Sequence, residues 1–354
     1  MGEGVAVRPD QVSLGVLVSE VPRDAVDEAV AVCGVREKRS DAKLPAHVIT
    51  YLTLGLCLFG EDDYEEVATK VTGSLDRWGC WNAAWTVPTA SAITQARKRL
   101  GREVFPELFE RTCGPVAGQA GPTAGAVALG TARGSFLRRW RLLAIDGFEV
   151  DVPGAALLWR APTQLELPVV RVLSDGTYLT ALIAPTIRGR RRERLLAAAR
   201  AGLDLSDPGA VPDAFDDRGL PVIHLARVIE YDVPDRAGNG TGELIVVLST
   251  ILDLDGDNGA RADELAAAYH QRWEEETAND QLKTHLRGPG RVLRSRLPDL
   301  VHQEIWAYLI VHHALSALIA RASAAADLDP DSISFAKALR LIRRTVTGTA
   351  DIPP

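Results

Sequence analysis

Apolar positions divide the chain into a helical beginning, a strand-rich middle and a helical end. Residues 21–33 alternate acids with Val and Ala at near-helical spacing, which predicts a first amphipathic helix. Leu44 and Pro45 open a strongly apolar helix running through Phe59, with Pro45 suited to a first helical turn. Asp62 or Asp63 can cap the next helix, 64–71, and Gly73 ends it. The stretch 87–101 predicts a short helix with a Ser/Thr start, a Gly stop and three bases, Arg97, Lys98 and Arg99, in its last turn. Residues 120–134 are rich in Gly, Ala and Thr and form a linker or loop.

Beyond the linker, Leu142, Leu143, Ala144 and Ile145 end in Asp146-Gly147. A short buried strand with a carboxylate at its C-terminal end is where an α/β sheet places chemistry. Strands are expected at 157–160, 169–173, 178–184, 223–232 and 243–252. Ser174-Asp175-Gly176-Thr177 makes a hairpin turn between two of them, and 235–242 a longer one. Residues 188–194 carry five arginines in seven positions, a pattern equally compatible with a solvated loop and a DNA-facing segment. The last part, 263–321, is helical, with breaks at Gly288-Pro289-Gly290 and Pro298. No internal repeat is present.

The 354 residues suffice for two or three packed units. A 46% hydrophobic and 25% charged composition excludes global disorder. The formal charge of -7 argues against a uniformly basic nucleic-acid binder, although a local basic surface is enough to hold DNA. Cys33, Cys57, Cys80 and Cys113 are widely spaced and read as reduced thiols, not a zinc site. Trp78, Trp81 and Trp85 read as core packing. No signal peptide opens the chain, and the most apolar stretch, 48–59, is shorter than the roughly 20 residues of a membrane span. A cytoplasmic protein without membrane partners is expected.

The most specific signal is Tyr269, Arg272, Glu276 and Lys283. At about 100° per residue these four share one helical stripe about 60° wide, while Glu274 and Glu275 point elsewhere. Such a stripe can present a metal-binding carboxylate flanked by phosphate-gripping cations. It can equally be a solvated face with an Arg272–Glu276 ion pair.

Tyr-x2-Arg-x3-Glu-x6-Lys resembles the signature helix of DDE transposases of the insertion-element-4 family, and all four positions match. Residues 284–295 resemble the segment that follows that helix in actinobacterial members. Residues 44–102 are similar to the family's N-terminal domain, and 143–148 to the strand ending in its first catalytic aspartate. The resemblance runs across most of residues 40–320. It implies a helical DNA-binding domain (1–119), a linker (120–135), and the first strand of an incomplete ribonuclease-H-like core (136–153). A β-rich insertion region (154–258) and the C-terminal helices of the catalytic core (259–354) follow. It further implies strand cleavage and transfer at transposon ends by a two-metal mechanism. Asp146 and Glu276 would then be catalytic and hold Mg²⁺ or Mn²⁺. Arg272 and Lys283 would contact DNA phosphate, and Tyr269 would support the strand ends. Arg97, Lys98 and Arg99 are DNA-binding candidates from helix pattern, equally readable as bases that complement their own helix dipole. The partners would be double-stranded DNA, at terminal repeats and target, and a second copy of the chain on that DNA.

The second aspartate of such a site has no match between 147 and 268. Asp217 sits in a Pro/Asp-rich loop, while Asp232 and Asp253 end runs that resemble the insertion region. Text like that after the first aspartate runs to Pro153 and then joins text from well downstream, as an internal deletion would leave it. Metal binding and catalysis should suffer accordingly. An inactive DNA-binding remnant that occupies transposon ends is the alternative. A hydrolase with Asp146 and Glu276 as an acid–base pair is a third. His302, His312 and His313 read as packed or surface histidines.

Overall fold

The computed structural model describes residues 19–35, 44–76, 87–116, 136–144, 155–162, 165–233, 242–290 and 292–346. In chain order these form α1 (Arg23–Val32), α2 (Ala46–Leu58), α3 (Tyr64–Asp76), α4 (Ala90–Leu100) and α5 (Val104–Thr112). Then come β1 (Phe136–Leu137), β2 (Trp140–Arg141), β3 (Leu158–Arg160), β4 (Val169–Val172), β5 (Tyr178–Ile183), α6 (Gly189–Arg200), β6 (Ile223–Val233) and β7 (Glu243–Ser249). The chain closes with α7 (Ala262–His270), α8 (Trp273–Asp280), a π-helical turn (Gln281–Leu286), α9 (Pro298–Ala325) and α10 (Phe335–Val346). Two compact units result, one from residues 1–132 and 276–354, the other from 133–275.

The first unit is helical, and α2 is its axis. Every residue from Val48 to Leu58 is buried, so this helix is apolar all round because it meets protein all round. The Thr50 and Thr53 hydroxyls donate to the Ala46 and Ile49 carbonyls and so leave no orphaned polar group in the core. Asp63 accepts from the Glu65 and Glu66 amides at 3.0 and 2.8 Å, which starts α3 as expected. Gly73 does not stop that helix, which continues to Asp76, because glycine is tolerated inside a helix. Pro298 occupies the first turn of α9, where its missing amide costs nothing. The 28 residues of α9 are apolar and long enough to cross a membrane by length and composition. In this unit α9 packs against α2 and α5. Phe335, Leu339, Ile342 and Val346 bury one face of α10 in the same core.

The second unit is built on a five-stranded sheet in the order β3-β7-β6-β5-β4, every neighbour antiparallel. All five strands lie where the alternation of residues predicts them. On one face, α6 covers Ala181 and Ile223 through Leu195 and Ala199. Elsewhere on the sheet α7, with the β1–β2 hairpin, covers Ile229 through Leu265 and Leu137. Ala226, Val228 and Leu248 form the opposite core with Ala161. No parallel strand pair occurs among the described residues. The buried strand expected at 142–145 is described only over 142–144. Residues 142–144 pair with nothing as a strand, and Leu143 is 74% exposed. An apolar run becomes a strand only where neighbouring strands take its backbone groups. The arginine-rich run 188–194 is not a loop but enters α6, held by the burial of Leu195 and Ala199. The Trp78, Trp81 and Trp85 stretch, the 120–135 linker, the 149–154 join and nearly all of the 235–242 turn lie outside the described residues.

Arg227, on the central strand β6, is 0% exposed. It donates to Thr177 Oγ1 at 2.9 Å, to the Asp253 carbonyl at 3.3 Å, and also to the Ala260 carbonyl and the Asp175 carboxylate. The β4–β5 turn is thus tied to the segment leading into α7. Burial opposes charge on Asp175, but hydrogen bonds from Thr177 and the Arg227 guanidinium outweigh it and hold the carboxyl below its usual value.

A group with a depressed carboxyl pKa contributes stability that is present above its unfolded value and lost as pH falls through the folded one. The stability difference between the wild type and Asp175→Asn should therefore be full at pH 6 and shrink below about pH 4 in urea titrations. A pH-independent difference would contradict this. At Gly55 a Cβ would lie 2.6 Å from Val71 Cγ2 and 3.2 Å from Val67 Cγ1. Gly55→Ala should therefore destabilise the helical unit by about 1–3 kcal/mol, despite alanine's better helix propensity. A raised melting temperature would contradict the close approach of α2 and α3.

Candidate functional site

Arg97, Lys98 and Arg99 stand side by side in the last turn of α4, but the helix sends them to different places. Ile93, Ala96 and Leu100 face the core, and Arg97 shares their face. It is 1% exposed. Its Nε donates to Gln303 Oε1 at 3.2 Å, Nη1 to Tyr64 Oη and Ser295 Oγ at 3.2 Å each, and Nη2 to the Leu300 carbonyl at 3.0 Å. Gln303 returns two bonds of 2.8 Å from its Nε2, to the Arg97 and Gly101 carbonyls, which closes the C-terminal end of α4. Arg97 is therefore not a DNA contact, because its guanidinium is spent inside the protein. Lys98 and Arg99 are exposed.

The same region holds a buried acid that residue patterns did not single out. Glu304, 4% exposed, accepts from the Arg294 and Ser295 amides at 2.9 Å each. Arg294 in turn donates to the Phe59 carbonyl at 2.7 Å and to that of Asp62. Arg343 donates to the Leu58 carbonyl at 2.6 Å. The carbonyls at the end of α2 are thus met by arginines from two distant segments. The readable trace was Gln303-Glu304, a polar pair inside an otherwise apolar helix.

The four residues of the stripe fall on α7, the turn after it, α8 and a π-helical turn. Gln271 and Arg272 form a turn between α7 and α8, with amides bonded three residues back to Ala268 and Tyr269. From Gln281 the helix widens into a π turn. A phase argument over 269–283 needs one uninterrupted α-helix, and both breaks shift it. Tyr269 and Arg272, both half-buried, do meet: the guanidinium carbon lies 5.8 Å from the ring centroid. Glu276 on α8 and Lys283 in the π turn are both exposed. Asp146 lies outside the described residues. Asp217 sits at the exposed tip of a turn organised by Asp216, which accepts from the Arg218 and Leu220 amides at 2.9 and 2.8 Å.

His302, His312 and His313, on α9, each bond within the helical unit. His302 accepts from Trp306 Nε1 at 3.3 Å, and His313 lies 2.7 Å from the Gly114 carbonyl. His312 pairs with Gln281 at 2.8 Å, and burial, helped by neighbouring His313, pushes its imidazole down to about 4. Cys33, Cys57 and Cys113 are free thiols. Among the described residues no three acids, histidines or cysteines gather into a cluster of metal-binding size.

Residues 11–110 match the family of insertion element 4 transposase N-terminal domains. The match takes in α1 to α4 and most of α5, so it includes exposed Lys98 and Arg99 together with the locked Arg97. It supports an insertion-element transposase. No curated protein and no solved structure matches the chain.

Replacing Arg97 by leucine leaves Tyr64, Ser295 and Gln303 short of a buried partner. It should cost about 2–4 kcal/mol in urea denaturation. Lys98→Gln with Arg99→Gln should stay within about 0.5 kcal/mol of the wild type. Equal stability of the Arg97 variant would overturn the assignment of that residue to the core.

Proposed function

We propose that the chain is an insertion-element transposase of the DDE type that holds double-stranded DNA but cuts it poorly or not at all. The family match over residues 11–110 carries this reading. Exposed Lys98 and Arg99, on a helix whose seat is fixed by Arg97, are the cations in that region best placed for phosphate. Exposed Lys283 is a further candidate, with Tyr269 and Arg272 stacked on each other as a third. Terminal repeats and target DNA are the proposed partners, with a second copy of the chain on the same DNA and a cytoplasmic setting.

Poor cleavage follows from the acids. Two-metal phosphoryl transfer needs several hard oxygen ligands converging on the ions. Glu276 is one acid of the proposed set, Asp146 the other, and the chain has no match for the third. Among the described residues no three potential ligands converge, and Asp146 lies outside them. No step of the proposed activity is therefore routed through a metal.

The test pairs binding with cleavage on the full chain. An arbitrary-sequence 30-bp duplex should bind at about 50 mM KCl and weaken at least about tenfold by 200 mM. Supercoiled plasmid with Mg²⁺ should be nicked no faster than by Glu276→Ala. No duplex binding at low salt would overturn the transposase reading. Mg²⁺-dependent nicking lost in Glu276→Ala would overturn the impairment.

A further inference from the structure

Helix α6 carries four arginines in its first six residues, with Arg188 just before it, and a single acid, Glu193. Cations in the first turn oppose the helix dipole, so local helix stability does not explain their placement. Two of the five have structural work. Arg191 donates to the Asp213 carbonyl at 3.2 and 2.9 Å and to the Phe215 carbonyl at 2.6 Å, pinning the short helical turn that covers the sheet beside α6. Arg194 pairs with the Asp213 carboxylate at 2.7 Å. The other three differ. Arg190 is exposed and Arg192 half-exposed, and neither bonds or pairs with any described residue. Arg188 is exposed and makes only a long 3.4 Å contact to the Pro185 carbonyl.

We infer that Arg188, Arg190 and Arg192 form a second DNA-backbone contact, on the antiparallel unit and outside the segment that matches the family. This rests on the transposase reading and deepens it. Guanidinium groups bind phosphate oxygens bidentately and are weakly hydrated, so three long arginine side chains within five residues around the start of α6 suit a phosphodiester chain. No large exposed apolar side chain lies within α6 to anchor a protein partner. A backbone contact of this kind is independent of base sequence, which fits a chain that must hold target DNA of any sequence.

The experiment uses the full chain and fluorescence anisotropy with an arbitrary-sequence 30-bp duplex across about 50–200 mM KCl. Each phosphate contact contributes about 0.9 to the slope of log affinity against log salt. The triple variant R188Q/R190Q/R192Q should lose about 2–3 units of slope, and R188K/R190K/R192K should keep most of it. R191Q should lower the melting temperature and leave the slope within about one unit of wild type. A wild type that binds, with a triple glutamine variant of unchanged slope and melting temperature, overturns this proposal and leaves the transposase reading standing. Competition by poly-glutamate as strong as by duplex, charge for charge, overturns it in favour of an acidic protein partner. A wild type that binds no DNA removes both.

Discussion

The first unit depends on one buried guanidinium. Arg97 cannot remain in the core unless each of its donors finds an oxygen there, and those oxygens come from α3, from the stretch before α9 and from α9 itself. A charge removed from water without such partners is expensive. The N-terminal helices and the C-terminal helices are therefore one folded body, although about two hundred residues separate them in the chain. The arginines on the carbonyls at the end of α2, Arg294 and Arg343, add further ties between distant segments of the same core.

Strand positions were readable in the chain because period-two alternation and the Asp-Gly turn at Asp175-Gly176 are local signals. The helix start at Asp63 was readable for the same reason, and Pro298, read as a break, marks the start of α9. What failed needed knowledge of distant neighbours. Leu142 to Ile145 has the composition of a buried strand, but composition cannot supply the strands that would flank it. Arg97 lay on the phase of Ile93 and Leu100, which pointed inward, yet its charge and its basic neighbours argued for the surface. Only the presence of Gln303 and Ser295 settles which signal prevails. The arginines of α6 look like loop material until Leu195 and Ala199 are seen to bury.

The proposed signature stripe shows how far periodicity alone carries an argument about chemistry. Its four residues share a face only on a continuous α-helix, and the chain interrupts that helix at Gln271 and Arg272 and widens it from Gln281. The Arg272 guanidinium stacks on the Tyr269 ring. The functional reading accordingly leans on the matched N-terminal helices more than on the acids.

The distance along the chain between Arg97 and Gln303, 206 residues, also sets a clock for the nascent polypeptide. At roughly 5–20 residues per second, the ribosome needs roughly 10–40 s to deliver the partner after the arginine has emerged. Throughout that interval α2 has no α9 to cover it. The antiparallel sheet, made in between, can close on its own strands first. Any product halted upstream of Pro298 would leave the exit tunnel with its most apolar helix uncovered, a natural target for chaperones and proteases.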